Sequence, residues 1–308
     1  MAKVSRIGDV LFGGLTRTSG LLIVLLVTFI GVFLLAMALP TLSRNTGSFL
    51  TTTQWIVTDN QLDFGIFGLL VTTVISSLLA MAIAVPISIG IALFITQYAH
   101  KRLAGPIAFL VDLLAAVPSI IFGLWGLKVL APALAPLSEG LQTHLGWFPL
   151  FRKEINSQGT VFIAGIVLAI MIIPIVTAIS RDIFNQTPTD HKEAALALGA
   201  TRWEVVSTVV LPHGRSGVIS ASMLGLGRAL GETIAVMIIL SAPPAGTAAS
   251  PSLFAGGITF ASKIALSANE LDTATKTGAY VAAGLVLFLI TFLVNATARI
   301  IAERGAVK

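Results

Sequence analysis

Cysteine is absent from the 308 residues. That excludes disulfides, thiolate metal sites and cysteine nucleophiles together. Charge is nearly as scarce, with Asp, Glu, Lys and Arg making up 11% of the chain against roughly 25% in soluble domains. So little charge cannot cover a globular surface, which excludes a water-soluble fold. The four histidines, His100, His144, His191 and His213, lack the i, i+4 spacing of a helical metal pair. No Gly-x-x-x-x-Gly-Lys-[Ser/Thr] run is present, so nothing cradles nucleotide phosphates in the P-loop manner. Gly225, Gly227 and Gly231 miss the Gly-x-Gly-x-x-Gly pattern because Leu230 holds the last position. No residue is assigned to catalysis or to a metal, and no cofactor is expected on the chain.

What remains is apolar: 56% hydrophobic residues and a mean hydropathy of +0.95. A bilayer core of about 30 Å needs roughly 20 apolar residues per helix. Six stretches meet that requirement: Ser19–Leu39, Gly68–Ile95, Gly105–Leu130, Val161–Ile179, Gly217–Leu240 and Gly278–Ile301. The expected fold is therefore all-α, a polytopic membrane bundle of six helices. The first stretch follows Lys3, Arg6 and Arg17 and contains Ala36-Met37-Ala38, which imitates a signal peptide. Its apolar run exceeds the ~7–15 residues of a signal core, so it reads as a retained span.

Loop charge orients the bundle. Twelve Lys and Arg residues fall on the side holding both termini and the 182–215 loop, against six on the other side. An excess of basic residues marks the cytoplasm, so both termini and that loop are expected inside, in a cytoplasmic membrane. The net charge of +5 then reflects topology, and no nucleic-acid partner is expected. Long outer segments, 40–67, 131–160 and 241–277, are either plain connectors or surfaces for something outside. Pro86, Pro118 and Pro174 are expected to bend three spans. Asp112 reads as an interface or cap residue near the inner end of the third span, and Lys128 as a side chain snorkelling to headgroups near its outer end.

The most regular polar segment runs from Asp182 to Arg215. Thr187-Pro188-Thr189-Asp190 carries a cap residue, a proline for the first helical position and an acid in the first turn. A short helix through Glu193-Ala194-Ala195 should follow and stop at Gly199 in the left-handed conformation. Thr201 and Glu204 have capping-box spacing for a second helix, expected to stop before Pro212. The alanines keep the first helix thin enough for another surface to approach. A helix lying on headgroups would carry aromatic anchors and a basic face, and the stretch 188–198 has no aromatic residue and mixed charges.

Glu193-Ala194-Ala195, Gly199 and Leu211-Pro212 resemble the EAA loop of ATP-binding-cassette (ABC) importer permeases, with Val209 in place of the usual isoleucine. The resemblance implies a type I importer permease fold over about 68–301. The residues before 68 would supply a short inner tail (1–18), then the first helix and an outer loop (19–67), and 302–308 a second inner tail. It also implies that Glu193, Ala194, Ala195, Gly199, Leu211 and Pro212 couple to a cytoplasmic ATPase, which holds the ATP.

Arg228 and Glu232 stand four apart in an otherwise apolar stretch, hence on one helix face. Charges at that depth are costly and belong in a bundle interior or water-filled path, where each could partner the other. The plain alternative is a buried pair that fixes helix register. Gly227 and Gly231 would let a neighbouring helix come close. A guanidinium suits an anion path, since its fork matches oxyanion oxygens and it never loses its charge. Glu232 would then disfavour fully deprotonated oxyanions, because monohydrogen phosphate can donate a hydroxyl to it and sulfate cannot.

The run Gly227-Arg228-Ala229-Leu230-Gly231-Glu232-Thr233 and the run Val117-Pro118-Ser119-Ile120-Ile121-Phe122-Gly123-Leu124-Trp125-Gly126 resemble signatures of PstC-type phosphate permeases. This resemblance implies phosphate as substrate, with Arg228 and Glu232 on its path. It also implies a PstB-type ATPase, a second permease of PstA type and an extracytoplasmic PstS-type binding protein. The alternatives are another oxyanion, sulfate or molybdate, or an ion-coupled secondary transporter.

Overall fold

The computed structural model describes residues 6–58, 61–154, 159–243 and 247–306. Lys3, Lys308 and residues 244–246 lie outside the described residues. In chain order the elements are α1 (Arg6–Leu42), β1 (Trp55–Val57), β2 (Leu62–Phe64), α2 (Phe67–Leu93), α3 (Lys101–Ala115), α4 (Ser119–Trp125) and α5 (Ala131–Leu145). They continue with α6 (Val161–Asn185), α7 (Thr189–Ala197), α8 (Arg202–Val205), α9 (Leu211–Gly231), α10 (Ile234–Ile239), α11 (Phe260–Leu266) and α12 (Ala274–Ala306).

The bundle is built around α6, whose residues are mostly buried. Its Leu168, Ala169, Ile172 and Val176 pack against Ala80 and Ala84 of α2 and Ala221 of α9. Alanine at these positions lets the helices approach closely, as in membrane interiors where packing rather than water drives association. Ser88 Oγ of α2 donates to the Ile173 carbonyl across this seam at 3.2 Å. At the periphery α1 packs on α12 and leaves leucines and valines such as Leu22 and Val24 exposed, as a lipid-facing helix should.

Among the described residues five helical runs are long and apolar enough to cross a membrane: Gly8–Leu42, Phe67–Tyr98, Ser119–Leu145, Val161–Asn185 and Ala274–Ile300. The first begins well before Ser19, within the expected tail. The expected third span, Gly105–Leu130, is displaced. The chain breaks at Ala116–Pro118, and Pro118 takes the N-cap of α4 with ψ 138°, because the residue before the break cannot stay helical ahead of a proline ring. The span is therefore Ser119–Leu145, which consumes half of the expected 131–160 loop. Lys128 lies within this span, exposed, rather than at its outer end. Asp112 sits on α3, where its Oδ2 meets Arg181 Nη1 of α6 at 3.4 Å, an interface role as expected.

The expected fifth span is divided. Glu232 and Thr233 separate α9 from α10, so 217–240 is not one continuous helix. Pro86 and Pro174 stay inside α2 and α6. Two other prolines follow π-helical turns: Gly126–Leu130 precedes Pro132, and Val206–Val210 precedes Pro212. A widened turn removes the clash between a proline ring and the carbonyl four residues earlier. That explains why the second loop helix does not stop before Pro212. It runs from Arg202 through the π turn into α9, with Pro212 at its first turn.

The all-α expectation misses one small element. Strands β1 and β2 pair antiparallel, Trp55 opposite Phe64 and Val57 opposite Leu62. Leu62 and Phe64 are buried in a cluster with Ala38, Ala279 and Ala282, so the hairpin covers one end of the α1–α12 pair.

Candidate functional site

Two groups of residues are candidates for function. The first is the knuckle formed by α7 and α8. Helix α7 has no buried residue, and Glu193, Ala194 and Gly199 are exposed. Proline enters one position earlier than expected: Pro188 is the N-cap and Thr189 begins the helix. Thr187 gives no capping bond, and its buried hydroxyl has no partner among the described residues. The helix stops as expected. Gly199 has φ +87°, a left-handed value that only glycine adopts at little cost, and its N–H donates to the Leu196 carbonyl at 3.0 Å.

The second helix starts with the expected capping box. Glu204 Oε2 accepts from the Thr201 N–H at 2.6 Å, and the Glu204 N–H donates to Thr201 Oγ1 at 3.3 Å. The Thr201 N–H and the Thr201 hydroxyl, which donates to the same oxygen at 2.8 Å, favour the ionised carboxylate and hold the Glu204 pKa below its ordinary value. On α7, partial burial pushes the Lys192 ammonium pKa down. Leu211 packs with Val206, Val210 and Phe184 against the end of α2, so it roots the knuckle in the bundle, while Pro212 is exposed.

The second group surrounds the break in α9–α10, and here the expectation needs correction. Arg228 and Glu232 do not share a helix face, because Glu232 is extended (ψ 125°) beyond the last residue of α9. No ion pair joins them among the described residues. Glu232 Oε1 instead accepts from the Ala235 N–H at 3.3 Å, capping α10, and Arg228 is exposed with no polar partner among the described residues.

Gly227 and Gly231 border open space, so no helix among the described residues packs against them. The glycines that do admit a neighbour are Gly214, Gly217 and Gly225, where a Cβ would lie 2.5–2.7 Å from side chains of α6. Their spacing with Ala221 was the available signal for which face of α9 is packed. The adjoining stripe, Ser220, Leu224, Arg228 and Gly231, is exposed. An open stripe carrying one guanidinium can line a polar path or face a second subunit; it cannot face lipid cheaply.

A family model described as "Binding-protein-dependent transport system inner membrane component" matches residues 84–306. The chain belongs to that family. Among its relatives is the phosphate transport system permease protein PstC 2 of Mycobacterium tuberculosis, 54% identical over 305 residues, covering 97% of this chain and 93% of the relative. The PstC of Mycobacterium leprae is 55% identical over 274 residues, covering 88% and 85%, and that of Haemophilus influenzae 40% over 295, covering 94% and 91%. This places the chain among the PstC-type permeases.

Two solved structures share the fold. One is a bacterial ABC transporter involved in the import of the acidic polysaccharide alginate, with a TM-score of 0.55 at 18% identity over 96% of this chain and 98% of that one. The other is an inward-facing MetNI methionine ABC transporter, with a TM-score of 0.52 at 16% identity over 78% and 95%. The permease is thus a multi-pass inner-membrane transport subunit with the type I ABC importer fold, not an enzyme, and it works within an ABC system with an ATPase and further subunits.

Proposed function

We propose that this permease conducts inorganic phosphate into the cytoplasm, driven by ATP hydrolysis on a PstB-type subunit that grips α7. Glu193, Ala194, Ala195 and Gly199 form the gripped surface, and Leu211 with Pro212 ties it to the membrane helices. A PstA-type permease completes the path, and a PstS-type protein delivers phosphate at the far side. Both termini and the knuckle are cytoplasmic in this reading, supported by the excess of Lys and Arg on that side.

The observation that carries the mechanism is the unbroken helical run from Arg202 to Gly231. It joins the exposed knuckle to the unpaired Arg228, about 40 Å away at 1.5 Å per residue. A lever of that length transmits a displacement at the ATPase to the membrane path, provided the bundle has two stable arrangements. The Glu232 break ends the lever, so α10 can stay with α4 while α9 moves. Arg228 attracts the oxyanion, and its planar fork suits a two-point contact. Phosphate itself is supported by the near full-length likeness to the PstC relatives.

The test is reconstitution of the permease with its ATPase, sister subunit and binding protein in proteoliposomes. ATP should drive uptake of labelled phosphate, which excess sulfate and molybdate should not inhibit. Inhibition by either would move the assignment to that oxyanion. Uptake driven by an ion gradient without ATP would remove the ABC mechanism.

A further inference from the structure

At the end of the bundle opposite α7 lies a cavity of about 1180 Å³, walled by β1, the start of α2, the segment after α5 and the stretch between α10 and α11. Its charged wall residues are Arg152, Lys153 and Lys263 against one carboxylate, Glu154. That carboxylate is engaged, since Ser250 Oγ donates to its Oε1 at 2.6 Å. Lys263, on α11, differs from the other two cations, which are exposed. It is half-buried, and its Nζ lies over the rings of Trp55 at 5.4 Å and Tyr280 at 6.0 Å.

No carboxylate pairs with the Lys263 ammonium among the described residues. Glu270 acts on it only through space, and burial outweighs that attraction and lowers the lysine's pKa. Among the described residues the partly buried ammonium thus has two ring faces beside it and no acceptor. The indole N–H of Trp55, also in the wall, is buried without an acceptor among the described residues. Buried donors lacking partners are uncommon, and donors that lack acceptors suit an acceptor-rich anion.

We propose that this cavity is an entry subsite for a tetrahedral oxyanion, held by Lys263 before it moves on to Arg228. The inference deepens the phosphate reading and rests on it for the identity of the anion. The ammonium supplies the attraction, Thr72 in the wall brings a hydroxyl, and Arg152 and Lys153 raise the local anion concentration at the rim. At about 30 Å³ per water, the space admits a partly hydrated ion, so binding is weak and release easy, as a relay site requires.

Trp55 is a built-in reporter, because an anion that draws Lys263 off the indole changes its emission. The full chain carrying W125F, W147F and W203F leaves Trp55 as the sole tryptophan, and it is titrated in detergent with sodium phosphate, sulfate and chloride. The expected result is a saturable change with phosphate. Lys263→Gln moves the midpoint by about tenfold or more, as for loss of a charged hydrogen bond. Lys263→Arg, which keeps the charge and the ring contact, moves it less and guards against a folding artefact. Arg228→Ala, expected to reduce uptake at least tenfold, keeps the titration. Saturation with sulfate but not phosphate would uphold the subsite and overturn the phosphate reading instead. Absence of any saturable change, a Lys263→Gln midpoint equal to the parent's, or loss of the titration in Arg228→Ala would overturn the subsite.

Discussion

Glu232 Oε1 accepts a hydrogen bond from the Ala235 N–H at 3.3 Å. The carboxylate therefore serves the first turn of α10, where a negative charge also meets the positive end of the peptide dipoles. Its separation from Arg228 follows from the same break, and the guanidinium is left available for a passing anion.

Glu232→Gln keeps the acceptor and removes the charge. The break in α9–α10 should survive, while sulfate begins to compete with phosphate uptake. Glu232→Ala loses the cap and should cost about 1 kcal/mol of stability, visible as a lower melting temperature of the purified complex. Unchanged selectivity in Glu232→Gln would show that the carboxylate is purely a cap.

Arg228→Ala should reduce phosphate uptake at least tenfold with the complex still assembled, because a lost charge-assisted contact costs about 1.5–3 kcal/mol. Arg228→Lys retains charge without the fork and should recover only part of the activity. Uptake of labelled phosphate, together with co-purification of the ATPase, checks both.

Gly199→Ala places a side chain where φ is +87°. Space is open there, so the cost is conformational, about 1–2 kcal/mol. The variant should reach the membrane normally and retain less ATPase on affinity purification. Retention equal to the parent's would mean that the left-handed stop is dispensable for docking.

The Thr201–Glu204 capping box should respond to acid. The folded-state pKa of Glu204 is depressed, so its contribution is present above the ordinary carboxylate range and is lost as pH falls through the depressed value. Relative to the intrinsic rate at each pH, amide exchange at Thr201 and Glu204 should accelerate below about pH 4. In Glu204→Gln, where the side chain no longer titrates, the acceleration should disappear.

The knuckle was legible in the sequence because its determinants are local. A glycine that must turn left and a threonine three residues before a glutamate specify helix ends without help from the rest of the fold. The span boundaries were less legible where proline intervened. Pro118 ends a helix and Pro212 is absorbed by a π turn, and the difference lies in how the surrounding backbone accommodates each ring. The pairing of Arg228 with Glu232 failed for a similar reason, since i, i+4 spacing has meaning only if the helix continues. The cavity at the far end of the bundle from α7 could not be seen at all. Trp55, Arg152 and Lys263 come from three distant segments, and only the packed fold brings them to one wall.

The central claim is that α7 carries ATPase motion to the membrane path. The chain has no cysteine, so Ala197→Cys introduces a unique thiol on the exposed helix. Crosslinking it to single cysteines in the ATPase groove, within membranes, tests the claim most directly. The account predicts a specific crosslink that forms in the intact complex and stops ATP-driven phosphate uptake. A thiol labelled only from outside the cell, or a crosslinked complex that still transports at full rate, would contradict it.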